Sequence, residues 1–153
     1  MPRKLSAGIL LYRRRETGLE VLIVHPGGPF WAKRDEGAWS IPKGEYVEGE
    51  DPLSVAKREF YEETGSALTG LCLELPPVRQ PSGKIIRAWA VEGDLDATAI
   101  RSNSFSLEWP PRSGRVQSFP EIDRACWYAL EEAKGKLLPG QRALLDELRQ
   151  RVE

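Results

Sequence analysis

Between Gly44 and Gly65 the chain reads GEYVEGEDPLSVAKREFYEETG, and this segment sets three carboxylates at helical offsets behind a glycine-bearing loop. Residues three and four apart share one face of a helix. With Leu53 as origin and about 100° per residue, Glu62, Glu59 and Glu63 fall near roughly 180°, 240° and 280°. Leu53, Ala56 and Phe60 fall near roughly 0°, 300° and 340°, an apolar stripe able to pack on a sheet. The spacing predicts a helix that opens at Pro52, whose missing N–H costs nothing in a first turn, and stops at Gly65. Glu50 and Asp51 suit the positive end of its dipole. Three like charges in one small volume repel unless a cation neutralises them. A hard divalent ion with oxygen ligands does this best, so Mg²⁺ or Mn²⁺ is the expected cofactor.

The same string resembles the signature of the Nudix hydrolase family. That signature is Gly, five residues, Glu, seven residues, Arg-Glu, an apolar residue, any residue, Glu-Glu, any residue, Gly and a further apolar residue. Here the positions read Gly44, Glu50, Arg58, Glu59, Phe60, Glu62, Glu63 and Gly65, and Ser66 departs from the pattern where an apolar residue is usual. The resemblance implies an α/β/α sandwich with a mixed central sheet and a loop-helix-loop catalytic segment over 44–66. It also implies hydrolysis of a nucleoside diphosphate linked to another group. By residue-to-residue match, Glu59, Glu62 and Glu63 are the metal-binding positions, with Glu59 also a candidate base. The backbone carbonyl of Lys43 would be a further ligand, while Glu50 and Arg58 would hold loop and helix together by charge-assisted hydrogen bonds. A bound divalent ion would offset charge on phosphate oxygens and lower the pKa of an attacking water.

The whole chain sets wider bounds. Its 153 residues fit one domain with an ordinary core. The formal charge of −1 gives no global case for a nucleic-acid-coating protein, so no DNA partner is expected and any polyanion must be held locally. Ser6 to Tyr12 is short and runs into Arg13, Arg14 and Arg15, the pattern of a strand more than of a signal peptide. No stretch reaches the length of about 20 apolar residues that a membrane helix needs. Cys72 and Cys126 form no CxxC or metal-type cluster and read as ordinary thiols of a reducing cytoplasm.

Patterning predicts strands at Lys4–Tyr12, Glu20–Val24, Trp39–Ile41, Leu71–Leu75, Lys84–Val91, Ser104–Trp109 and Ala125–Leu130, and a C-terminal helix over Leu137–Val152. His25 to Ala38 reads as a Gly- and Pro-rich loop carrying Phe30, Trp31, Lys33 and Arg34, a composition that marks it for selectivity. Glu108 or Glu121, each beside proline, would complete the acidic site. Lys33, Arg34, Lys84 and Arg87 are candidate phosphate contacts. Trp31, Trp39 and Trp109 could stack a base, although packing would occupy at least two of them. His25, at a strand end, reads as structural. The stretch WSIPKGEYVEGE resembles the Trp-x-x-Pro-Lys-Gly entry found among Nudix members acting on dinucleoside polyphosphates, diphosphoinositol polyphosphates and capped or triphosphorylated RNA ends. Lys43 there adds positive charge beside a long phosphate chain. The expected substrate is a small nucleotide, a dinucleoside polyphosphate or nucleoside triphosphate. Alternatives are an RNA 5′ end, a diphosphoinositol polyphosphate, or binding without catalysis.

Overall fold

The computed structural model describes residues 4–153. Its strands are β1 (Leu5–Arg15), β2 (Gly18–Pro26), β3 (Lys43–Tyr46), β4 (Cys72–Glu74), β5 (Val78–Arg79), β6 (Ile85–Glu92), β7 (Ser104–Glu108), β8 (Val116–Pro120) and β9 (Ile122–Ala129). Its helices are α1 (Pro52–Thr64), α2 (Leu130–Lys136) and α3 (Ala143–Val152). The main sheet runs β4-β6-β1-β2-β9, with β3 also on β1 and β5 also on β6. Only β1 and β6 pair in parallel, so the sheet is mixed.

Alternation along β1 builds two cores. Ile9 and Leu11 face α1 with Leu22, Val55, Ala56 and Phe60. Leu10 and Tyr12 face the opposite layer with Trp39, Leu137, Leu144 and Leu148. A strand with both faces covered must read as a nearly continuous apolar run, and GILLY does. This is the expected α/β/α sandwich.

Two expected elements differ. Trp39–Ile41 is not a strand: it makes only isolated bridges, Val24 to Ser40 and Trp39 to Leu137. Its backbone groups are satisfied elsewhere, Trp39 N–H by the Lys136 carbonyl at 2.9 Å and Ile41 N–H by the buried Gln141 Oε1 at 2.9 Å. The segment crosses from β2 to β1, and the regular strand is β3, which begins at Lys43. The C-terminal helix is likewise not continuous over Leu137–Val152. Leu138, held extended at ψ 136 before Pro139, separates α2 from α3. Leu144, Leu145 and Leu148 do form the buried stripe of α3. The last strand starts three residues earlier than expected, and Leu130 opens α2.

The ribbon formed by β7 and β8 stands apart from the main sheet. Among the described residues no helix is long and apolar enough to cross a membrane. Phe60 is 1% exposed at the centre of the α1 core. Phe60→Ala is expected to cost about 3–5 kcal/mol in urea denaturation, and a loss below about 1 kcal/mol would contradict that placement.

Candidate functional site

Helix α1 begins as its sequence dictates. Asp51 caps it, its carboxylate accepting from Ser54 N–H at 3.1 Å, and Pro52 fills the first turn. Gly65 ends it in the left-handed conformation at φ 79, its N–H donating to the Tyr61 carbonyl at 2.7 Å. Ser66 sits partly buried, its N–H tied to Thr64 Oγ1 at 3.1 Å, so the departure from the signature is absorbed by a local hydrogen bond.

The buried sector of the helix is wider than the apolar stripe, because Val55 and Glu63 are buried along with Ala56 and Phe60. The acidic edge therefore faces protein more than solvent. Glu59 lies directly over Gly44, where a Cβ would overlap its carboxylate. A side chain here would displace the Glu59 carboxylate, so glycine serves close approach and not turn geometry. Glu63 is 9% exposed, beside the backbone amide and ammonium of Lys43. Burial first, then the Glu59 charge, pushes its carboxyl up to about 8, and Lys43 only partly offsets this. Glu59 is raised for the same reasons, desolvation and then the charge of Glu62. Burial also lowers Lys43, with Lys84 adding repulsion.

Arg58 lies 3.7 Å from Glu50, 3.7 Å from Glu59 and 3.9 Å from Glu62. Glu50 in turn accepts from Val47 N–H at 2.9 Å, tying the loop to the helix. Among the described residues no three acidic, imidazole or thiol groups already stand at cation-cage spacing. The donor set nevertheless fits a hard divalent ion: three carboxylates on one face, two with pKa raised by burial and by the charge of neighbouring carboxylates. Such an ion would be gathered by turning glutamate side chains, not received by a rigid ring.

Glu121 joins this group and Glu108 does not. Glu121 precedes β9 and its charge acts on both Glu59 and Glu63. Its backbone is pinned on both sides, N–H to the Asn103 carbonyl and C=O from Gly27 N–H, each at 2.8 Å. Asn103 N–H donates to the Glu62 carbonyl at 2.8 Å, so the C-terminal end of α1 sets the position of Glu121. Glu108 sits on the ribbon, its carboxylate taken by Arg112 N–H at 2.9 Å.

A cavity of about 250 Å³ opens beside the acidic edge, with Lys43, Glu63 and Glu121 at its polar end and Trp31, Ile122 and Leu138 among its walls. Sequence reading reached the polar end and Trp31 but not Ile122 or Leu138, whose only sequence signal is an apolar residue at an element boundary. Trp39 is a core residue, 1% exposed, with Nε1 on Asp35 at 2.8 Å. Trp109 packs edge-on against Phe30, ring centroids 5.3 Å apart, outside the cavity lining. His25 is structural as expected, fully buried, with Nδ1 at 2.8 Å from Asp123 and Nε2 at 2.6 Å from the Arg34 carbonyl. Lys33 and Arg34 are exposed on the loop. Lys84 pairs with Glu45 at 3.2 Å and Arg87 with Glu74 at 2.8 Å, neither in the cavity wall. Cys72 and Cys126 are free thiols.

The raised Glu63 pKa has a definite sign. A carboxyl that titrates near 4.5 unfolded and about 8 folded adds stability that is full below 4.5 and is lost as pH rises through 8. The metal-free protein is expected to melt lower at pH 8.5 than at pH 5.5, and Mg²⁺ or Mn²⁺ to raise the midpoint more at pH 8.5. Equal metal-induced shifts at both pH values, in thermal melts with and without EDTA, would remove Glu63 from the metal-linked set.

Comparison with known proteins shows the family and the fold. Residues 2–148 match the family model described as NUDIX domain. An RNA pyrophosphohydrolase of Rhizobium meliloti is 32% identical over 119 residues, covering 72% of this chain and 70% of that protein. Another from Brucella anthropi is 30% identical over 156 residues, covering 84% and 83%. Among solved structures, the Caenorhabditis elegans Ap4A hydrolase binary complex superposes with a TM-score of 0.65 at 20% identity, covering 96% of this chain and 97% of that one. The NUDIX domain of Shewanella oneidensis NrtR complexed with ADP ribose gives 0.68 at 16% identity, covering 100% and 90%. At such identities the superpositions speak to fold alone.

Proposed function

The chain belongs to the Nudix hydrolase family as a pyrophosphohydrolase, and from that premise we propose metal-dependent cleavage of a phosphoanhydride bond in a nucleotide carrying a chain of phosphates. Dinucleoside polyphosphates and nucleoside triphosphates are the small substrates of this reading. The observation that carries it is the cavity in which Lys43, Glu63 and Glu121 share one end and Trp31 forms a wall. An aromatic wall receives a base, and Lys43 with a cation held by the neighbouring carboxylates receives phosphates, which disfavours a diphosphoinositol with no base to stack.

In this mechanism Glu59, Glu62 and Glu63 would hold a divalent cation, with Lys43 and Glu121 at the margin of the same group. When bound, the cation supplies charge neutralisation on the phosphate oxygens and strengthens water as a nucleophile. Glu59 or Glu121 would accept the proton of that water, and Gly44, lacking a side chain, leaves room for the Glu59 carboxylate. Lys43 faces the phosphate chain from within the cavity, and the Trp31 ring, with the Arg34 guanidinium 5.6 Å from its centroid, holds the base.

A second reading, removal of phosphates from an RNA 5′ end, is favoured by the relatives named RNA pyrophosphohydrolase. It uses the same cavity and carboxylates and differs only in what extends beyond the first nucleotide.

Purified protein with Mg²⁺ or Mn²⁺ is expected to hydrolyse at least one of diadenosine tetraphosphate, nucleoside triphosphates and triphosphorylated RNA. Glu62→Gln should lower kcat/KM by about 10²-fold or more, and EDTA should abolish turnover. Wild-type turnover by a folded Glu62→Gln protein would remove the mechanism. Trp31→Ala is expected to raise KM for the nucleotide about tenfold with kcat little changed, the loss of one stacking contact. An unchanged KM with a lower melting temperature would assign Trp31 to packing.

A further inference from the structure

The ribbon of β7 and β8 is not accounted for by the cavity chemistry. It contributes nothing to the main sheet, yet its root is fixed to the cavity mouth. Pro120, the last residue of β8, is followed directly by Glu121, and Gly27 approaches so closely that a Cβ there would overlap the Pro120 carbonyl. Gly28, at φ 96, lies under the Phe105 ring, where a Cβ would come within 2.9 Å. The loop that carries Trp31 therefore runs along the ribbon instead of into solvent. From Pro120 to Arg115 the ribbon reaches about 17 Å at the ordinary strand rise.

Aromatic and cationic groups are gathered on this loop and ribbon. Trp31 lines the cavity, Phe30 beside it is 62% exposed, and Trp109 meets Phe30 edge-on at 5.3 Å. Trp109 is braced by its own N–H on the Arg115 carbonyl at 2.9 Å and by Gln117 Nε2 on its carbonyl at 2.6 Å. Lys33 and Arg34 follow Trp31 in the loop, the Arg34 guanidinium 5.6 Å from the Trp31 centroid, and Arg112 and Arg115 lie in the turn between β7 and β8. Among the described residues these four cations enter no ion pair, whereas Arg13, Arg14, Arg15, Arg58, Lys84, Arg87 and Lys136 each do. The ribbon's own acid, Glu108, is engaged by a backbone N–H. An exposed ring, Phe30, between the half-buried Trp31 and Trp109, with unpaired cations nearby, is what a single strand recognises: bases stack on the rings and phosphates meet the charges.

We infer that the ribbon and the Gly27–Arg34 loop form a docking arm for single-stranded RNA, receiving the nucleotides that follow the one held in the cavity. This rests on the RNA 5′-end reading of the same site. The near-neutral net charge does not oppose it, because segments 27–34 and 104–120 carry Lys33, Arg34, Arg112 and Arg115 against the single acid Glu108 and are locally positive.

The test is fluorescence anisotropy with a 3′-labelled, eight-nucleotide single-stranded RNA bearing a 5′-triphosphate, in EDTA so that nothing is turned over. Wild-type protein is expected to bind it more tightly than unlabelled ATP competes. The double variant Arg112→Glu, Arg115→Glu should weaken binding at least tenfold and reduce the slope of log Kd against log salt by about 1.4, two phosphate contacts at roughly 0.7 each. Phe30→Ser should weaken it about tenfold through lost stacking. Equal binding by wild type and the charge-reversed variant, or RNA binding no tighter than ATP, overturns the arm. Hydrolysis of diadenosine tetraphosphate and ATP is measured separately with Mg²⁺. Its absence counts against the catalytic reading, while the anisotropy result decides the arm by itself.

Discussion

The constraint on which this structure turns is the pressing of a carboxylate-bearing helix edge against backbone. Helix α1 packs on β1 through Val55, Ala56 and Phe60, and that apolar contact carries Glu59 onto Gly44 and Glu63 against Lys43. Burying carboxylates is unfavourable without countercharge. The apolar contact offsets that cost, and the residual appears as raised proton affinity at Glu59 and Glu63. At a site whose buried carboxylates hold protons tightly, binding of a divalent cation is coupled to release of those protons and strengthens as pH rises.

The rest of the site hangs from the two ends of that helix. At its start Asp51 caps the first turn and Glu50 ties back to the Val47 amide, so the loop entering α1 is organised by its own acids. At its end the Glu62 and Thr64 carbonyls accept from Asn103 and Arg101 N–H groups. That pair of hydrogen bonds brings a distant segment alongside, and Asn103 hands the register on to Glu121. The Trp31 loop is held in the same way, with the Arg34 carbonyl on buried His25 and Gly27 on Glu121. Polar contacts between backbone groups, rather than side-chain ion pairs, thus set the spacing between carboxylates and aromatic wall. This suits a site whose side chains must turn to receive a cation.

What the amino-acid sequence disclosed and what it withheld divide along one physical line. Helix α1, its cap, its glycine stop and its acidic face are written in residues three and four apart, and local periodicity is sufficient to read them. The long strands β1, β2 and β6 are legible for the same reason. Trp39–Ile41 looks like a strand because it alternates correctly, but its hydrogen bonds go to Lys136 and Gln141, about a hundred residues away. The Leu144, Leu145 and Leu148 stripe invites a single C-terminal helix, and the signal against its extension to Leu137 was the proline at 139. Glu108 and Glu121 are indistinguishable by local context. They are separated only by the pairing of β7 with β8, which turns one toward Arg112 and leaves the other at the cavity.

Net charge shows the same limit in electrostatic form. A formal charge of −1 argues against a polyanion-coating surface only if the charges are evenly mixed. In the fold they are not. Arg13 and Arg15 are drawn to Glu20 and Asp94, Arg87 to Glu74, Lys134 to Asp146 and Lys136 to Asp35. Each such pairing removes an acid that could otherwise have neutralised the cations around the cavity mouth. Near-neutrality of the whole is therefore compatible with a strongly uneven surface. The sign of the field felt by a substrate approaching Lys43 is set by which cations lack partners, a property of the fold that no sum over the sequence contains.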